Sequence, residues 1–422
     1  MSVRGADTPE TIHARLRAWR RTGDVDALWP DVPRAARRRA LAAVRRAAQA
    51  VLRGDRPPPL EATSDRDAEA LGVAAFVAGM GPLLGWWVRH GVLEASGRAR
   101  EVPAEHLDHG VRRSRVLRVE AARILNAMQQ AGLRPILLKG MHTGAEFFPD
   151  ACTRPAADID VLVHPSEISV AASVLRDLGM TERRTRFAVR SEWTPGSEEQ
   201  AVRSLRLDHA ENPWSLDLHS GLGRWYFRGV RRDLGANAFD TERAIDLEGT
   251  RVRVLDQPYL AAFLALHAGY DLGKMQLVRI VELVLVLQQD VRAGSLDRAD
   301  LASLLSRTDT GRFAYPGLAL AEELSPGCVG AEVLDVARRR VGRRMERVLT
   351  AVREAEWGPL AERSLDLKLA WAVGSRETLL NLTEIVLPSD DGMGGLAGVY
   401  AQRLRLLGRR LRARDAHEDG ST

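Results

Sequence analysis

Apolar positions follow helical spacing along the first hundred residues, shorten to strand-length runs in the middle of the chain, and return to helical spacing after Pro258. Thr8-Pro9-Glu10 reads as a helix start, with proline at the first helical position and Ile12, Leu16 and Trp19 on one side. A second helix runs from Arg34 to Arg46 with one strongly basic face, and Asp55-Arg-Pro-Pro-Pro59 breaks it. Leu71 to Val88 is uncharged and long enough to resemble a marginal membrane span. Its four glycines and Pro82 favour two buried helices broken near Gly81-Pro82, with no membrane partner.

From Val116 to Gly132 an amphipathic helix (Leu117, Val119, Ala121, Ile124, Leu125, Met128) leads into a short apolar strand, Pro135 to Lys139. Gly140 ends that strand, Thr143 to Phe148 continues as helix, and Asp158 to Val163 is a second strand. Pro165 to Leu178 reads as a helix stopped by Gly179. Thr185 to Trp193, Ala201 to His209, Trp214 to His219 and Arg251 to Leu255 are strand candidates, with Ser197 to Gln200 as a loop. Tyr259 to Asp271 and Leu277 to Leu287 are helices, and helices continue through Arg403 to Arg414 into a polar tail. The pattern predicts an α+β fold, a mixed β-sheet core flanked by N- and C-terminal helical domains. The expected boundaries are 1–112 (helical), 113–256 (α/β core), 257–412 (helical) and 413–422 (tail).

Composition narrows the class. A chain of 422 residues with 45% hydrophobic content can bury more than one core. The net charge of +5 permits an anionic partner such as nucleotide or RNA, but 56 acidic residues interleave with the 61 basic ones, so it does not require one. The Arg34–Arg46 face is read as solvated, having no interleaved aromatics. Two cysteines, Cys152 and Cys328, are too few for a disulfide framework and lack zinc-ligand spacing. With no apolar leader after Met1, the expected location is a reducing cytoplasm.

The chemistry sits in Arg154-Pro-Ala-Ala-Asp158-Ile-Asp160-Val-Leu-Val163. Strand side chains alternate, so Asp158 and Asp160 share a face. Such a pair needs a cation, and an all-oxygen pair suits Mg²⁺, or Mn²⁺, which takes its other ligands from water and phosphate. Asp-x-Asp also occurs in turns and calcium loops, but the following Val161-Leu-Val163 enters a packed layer instead. Upstream, Gly140 is a strand-to-helix turn at which backbone amides can face an anion. Only three of the basic residues are lysine (Lys139, Lys274, Lys368), so a lysine beside that turn reads as a point charge for phosphate, with Arg154 as a second positive group.

A strand, a glycine turn, a helix and a strand bearing Asp-x-Asp resembles the nucleotidyltransferase superfamily. Leu138-Lys139-Gly140, Arg154 and Asp158-Ile-Asp160-Val-Leu-Val163 are similar to the bacterial group described as uncharacterised nucleotidyltransferase-family proteins. The resemblance implies a nucleotidyltransferase-like core that moves a nucleotidyl group from a nucleoside triphosphate to an acceptor hydroxyl and releases pyrophosphate. It further implies a third acidic residue on a later strand, best matched by Asp217 in Trp214-Ser-Leu-Asp217-Leu-His219. Asp158, Asp160 and Asp217 would then hold metal, with Asp217 alternatively the base on the acceptor. Lys139, Gly140, Thr143, Arg154, His219 and Lys274 would bind the donor.

Many superfamily members place a serine directly after the turn glycine, where this chain has Met141; Thr143 is the nearest substitute hydroxyl. That departure keeps two alternatives open: phosphoryl transfer on the same fold, and a nucleotide-binding, partner-recruiting module with a degenerate site. His267 and Glu282 fall at polar positions of the helices that follow the core, although a single histidine on an apolar helix is more often a hydrogen-bonded core residue. The acceptor is open among small molecule, peptide, protein and RNA.

Overall fold

The computed structural model describes residues 8–22, 24–183, 190–196, 201–227, 230–270, 272–274, 276–360, 367 and 369–386. Five helices come first: α1 (Pro9–Thr22), α2 (Arg34–Arg53), α3 (Asp65–Ala78), α4 (Gly81–Arg89) and α5 (Arg98–Gln130). The core adds α6 (Met141–Glu146) and α7 (Ile168–Asp177). Then follow α8 (Tyr259–Tyr270), α9 (Leu277–Ala293), α10 (Arg298–Arg307), α11 (Gly311–Leu324), α12 (Ala331–Arg338), α13 (Arg343–Glu354) and α14 (Gly374–Val386). The expected helix at Arg403–Arg414 and the polar tail lie outside the described residues.

The strands are β1 (Ile136–Leu137), β2 (Asp158–Leu162), β3 (Met180–Arg183), β4 (Arg190–Pro195), β5 (Ser215–His219), β6 (Arg224–Phe227), β7 (Val230–Arg232), β8 (Ala244–Leu247) and β9 (Thr250–Val254). Seven of them form one mixed sheet in the order β3-β4-β5-β2-β1-β9-β8, and β6-β7 make a separate ribbon. The β2–β5 and β1–β9 pairs are parallel, and β2 runs antiparallel to β1. Alternation then sorts the side chains. Ile159, Val161, Leu216 and Leu218 enter a core with Leu117, Ile124 and Leu125 of α5 and Leu175 of α7. Ile136, Leu138 and Leu162 face the other way, into the core built by α8 and α9 together with α2 to α4. Helices pack on each face of the sheet, so β1, β2 and β5 are buried almost throughout.

Three expectations change. The helix predicted from Val116 begins at Arg98 and passes through positions 112 and 113 without a break. Its buried stripe continues backwards as Ala99, Pro103, His106, Leu107, Gly110 and Arg113, a helical spacing masked by two polar members and a proline. Ala201 to His209 is not a strand: Asn212 Oδ1 accepts from the Arg203 and Ser204 amides and its Nδ2 donates to the Ser204 and Leu207 carbonyls. Side-chain caps thus satisfy the backbone groups that a ladder would have used. The hairpin β8–β9 adds a strand that went unpredicted; Glu248 and Gly249 both take positive φ at its two-residue turn. Of the predicted strand Thr185–Trp193, the first residues, and the whole predicted loop Ser197–Gln200, lie outside the described residues.

The apolar stretch near Leu71 resolves as α3 and α4, bent by 115° at Gly79-Met80, and among the described residues no single helix is long and apolar enough to cross a membrane. α4 lies against α5 at a close crossing. A Cβ on Gly85 would sit 2.1 Å from the Pro103 carbonyl oxygen and 2.7 Å from Leu107 Cβ. We predict that Gly85→Ala destabilises the fold by about 1–3 kcal/mol through this overpacking. Gly72→Ala is the matched control, because its nearest neighbour would be Val102 at 3.4 Å, an ordinary contact; it should be neutral or gain up to about 1 kcal/mol. Urea unfolding of the two variants measures the difference.

Candidate active site

Register builds the site. Parallel pairing sets Asp160 opposite Asp217 and Leu162 opposite His219, while antiparallel β4 sets Glu192 opposite Asp217 and Arg190 opposite His219. Asp158, Asp160, Asp217 and His219 therefore rise from one sheet face. Metal-ligating atoms of Asp160, Asp217 and His219 all lie within 4.8 Å of one another. Asp160, Asp217 and His219 are buried, whereas the Asp158 side chain is 39% exposed and marks the open side.

Each carboxylate has a cationic or hydrogen-bonding partner. Lys139 Nζ lies 2.5 Å from Asp160 Oδ2 and 3.6 Å from Asp158 Oδ2. His219 Nε2 lies 3.1 Å from Asp160 Oδ1; a carboxylate accepts, so Nε2 carries the hydrogen. Arg190 donates to Asp217 Oδ2 at 2.7 Å. Burial opposes the Lys139 charge, yet Asp158 and Asp160 hold its pKa above the ordinary value. Burial likewise opposes the Asp160 charge, but Lys139 and His219 outweigh it and hold that carboxyl well below the usual range. Asp217 goes the other way: burial first, then the neighbouring Asp160 charge, pushes it up to about 7 against the pull of Arg190.

The glycine turn forms as predicted, with Gly140 at φ +66 leading into α6. What converges on it is a carboxylate of the protein itself. Gly140 N–H donates to Glu282 Oε1 at 3.1 Å, the Thr143 hydroxyl donates to the same oxygen, and Arg154 donates to Oε2 at 2.8 Å. Glu282 is completely buried in the middle of α9. Burial would raise its pKa, but Arg154, Thr143 and the Gly140 amide lower it. The residues expected around the turn are thus brought together, around an internal anion.

Two expectations remain, Lys274 and His267. Lys274 ends a 3-10 turn at Leu272–Lys274, and its side chain lies outside the described residues. Arg224 reaches within 2.9 Å of His267 Nδ1 and stacks on Tyr270. Arginine only donates, so His267 accepts and is neutral; burial and then nearby cations push its pKa well down. It is a satisfied core histidine. Sequence reasoning missed Arg190 and Arg224, which with His219, Gly221, Gly223, Trp225, Phe263 and Tyr270 line a cavity beyond the end of β5. The arginine-rich composition left no signal to single them out. Glu282 was legible as the lone carboxylate in Leu277–Leu287, but its partner Arg154 is 128 residues away.

The donor set fits a divalent cation of the Mg²⁺ or Mn²⁺ kind through carboxylate oxygens, with Asp158 on the open side and Asp160 and Asp217 within. His219 suits the supporting role of fixing Asp160 from behind, as ligating carboxylates are themselves hydrogen-bonded.

The Arg154–Glu282 pair gives a stability prediction. Glu282→Gln leaves Arg154 buried without its counter-charge and should cost about 3–5 kcal/mol near neutral pH. Because the Glu282 pKa is lowered from 4.5, the contribution is present above that value and is lost as pH falls through the folded one. Native and variant unfolding curves should therefore converge in acid; urea titrations across pH measure this.

Comparison with known proteins agrees with the geometry. A family model described as uncharacterised nucleotidyltransferase matches residues 91–326, the stretch holding the whole sheet, the carboxylate cluster and Glu282. No curated protein and no solved structure gives a match. With over half of the chain matched and the Asp-x-Asp strand, its partner strand and the glycine turn in place, this protein belongs to the uncharacterised nucleotidyltransferase family.

Proposed function

We propose that the chain transfers a nucleotidyl group from a nucleoside triphosphate to an acceptor hydroxyl, with Mg²⁺ or Mn²⁺ as cofactor. The observation that carries the reading is that Asp160 and Asp217 are paired across two register-matched strands, with Asp158 on the same face and Lys139 bridging Asp158 and Asp160. Asp158, Asp160 and Asp217 would hold the cation, which when bound supplies Lewis-acid charge to phosphate oxygens. Lys139, a compact ammonium with three donors, would meet the donor's phosphates. Asp217, bonded to Arg190 of the cavity lining, would alternatively leave the cation to the other two carboxylates and take the acceptor proton as the acceptor oxygen bonds to the α-phosphorus. The bond from that phosphorus to the bridging oxygen breaks, and pyrophosphate leaves. Arg190, held on Asp217, would orient that carboxylate toward the acceptor.

One observation favours keeping phosphoryl transfer as a second reading. The Gly140 amide and the Thr143 hydroxyl are engaged by Glu282, so the turn does not by itself fix which phosphorus lies over the carboxylates.

Incubating the protein with Mg²⁺, each α-³²P-labelled triphosphate and a library of hydroxyl acceptors tests both. The expected products are pyrophosphate and a labelled acceptor; nucleoside diphosphate with unlabelled acceptor would establish phosphoryl transfer, and no product would sink the enzyme reading in favour of a binding module. Asp160→Asn and Asp217→Asn should each lower product formation roughly a thousandfold, about 4 kcal/mol of transition-state stabilisation, with circular dichroism unchanged.

A further inference from the structure

Each oxygen of Asp160 has a partner, Oδ1 in His219 Nε2 at 3.1 Å and Oδ2 in Lys139 Nζ at 2.5 Å. The same ammonium lies 3.6 Å from Asp158 Oδ2. Lys139 thus bridges the two carboxylates of Asp-x-Asp, where a divalent cation shared by that pair would sit. A dication held by both carboxylates competes with Lys139 for that position and has His219 beside it. The neutral imidazole is not repelled by a dication, but the ammonium is, and Lys139 has a flexible four-carbon stem on which to move.

The turn limits where phosphate is met. Gly140 N–H, the Thr143 hydroxyl and Arg154 are all committed to Glu282, which is completely buried. Withdrawing them to bind phosphate would strand a buried carboxylate, whereas moving Lys139 strands nothing once a cation has replaced it. Asp158, the more exposed carboxylate of the pair, gives the open side toward which the ammonium can swing.

Resting on the reading above, we infer that Lys139 is a resident counter-ion that a divalent cation expels from Asp158 and Asp160 onto the donor's phosphates, making cation and triphosphate binding mutually reinforcing. Lys139 is on this account the principal phosphate-recognising side chain, and Glu282 is the reason the turn's own donors do not share the task. By linkage, the factor by which triphosphate tightens cation binding equals the factor by which cation tightens triphosphate binding.

Calorimetric titration of Mn²⁺ tests this without turnover, using the native chain and Lys139→Met with and without inorganic tripolyphosphate. For the native chain, tripolyphosphate should tighten Mn²⁺ binding roughly tenfold or more. Lys139→Met should bind Mn²⁺ alone roughly tenfold or more tightly than the native chain, and tripolyphosphate should tighten that binding by a smaller factor than in the native chain. Equal Mn²⁺ affinity in the two chains, or no binding in either, overturns the inference. If Lys139→Met does not fold, lysine-selective NMR of the native chain decides, because it holds only three lysines. Addition of Mg²⁺ alone should shift the Lys139 ammonium signal, and an unmoved signal overturns the proposal. Cation–lysine exchange without any nucleotidyl product would refute the proposed reaction and leave the exchange standing; product formation without exchange would do the reverse.

Discussion

A carboxylate as deeply buried as Asp160 stays ionised only if positive charge is held against it, and in this chain the charge comes from Lys139 at 2.5 Å with His219 on the other oxygen. The rest of the site follows from that requirement. Lys139 must stand at the end of β1, so β1 must neighbour β2, and the parallel β2–β5 pairing then sets Asp217 beside Asp160. With Asp160 fixed as an anion, its field helps to keep a proton on Asp217 near neutrality. One ion pair thereby divides two neighbouring carboxylates into one that is held charged and one poised to exchange a proton.

A second compensated charge holds the other side of the cleft. Glu282 in α9 ties the Gly140 turn, Thr143 of α6 and Arg154 into one buried set, connecting the end of the interior strand β1 to the C-terminal helix layer. Lys139 and Glu282 are thus a cation among carboxylates and a carboxylate among donors. Each occupies the kind of place that a substrate-bound enzyme of this chemistry would fill with metal and with phosphate. The site is electrostatically complete before any ligand arrives, and ligand binding becomes an exchange of partners rather than the filling of a void.

The carboxylates were legible in the sequence because strands have a period of two: Asp158 and Asp160, then Asp217 and His219, alternate with apolar residues in runs too short to be helical. The glycine turn was legible through Gly140, which takes a positive φ there. What escaped did so for physical reasons. Arg154 pairs with Glu282 across a long span of chain, and no local rule reports such a contact. The first half of α5 was hidden by buried His106 and Arg113, polar residues on an otherwise apolar stripe, and the Ala201–His209 segment has the composition of a strand but spends its backbone hydrogen bonds on Asn212.

A metal-dependent nucleotide site at the carboxylate cluster ties triphosphate binding to both cation and aspartates. Calorimetry of the four nucleoside triphosphates, with and without Mg²⁺, on the native chain and on Asp158→Ala combined with Asp160→Ala measures this. The expected result is binding that needs Mg²⁺, favours at least one triphosphate and disappears in the double variant while its circular dichroism stays native. Binding that is indifferent to Mg²⁺, or that survives the loss of both aspartates, would contradict it.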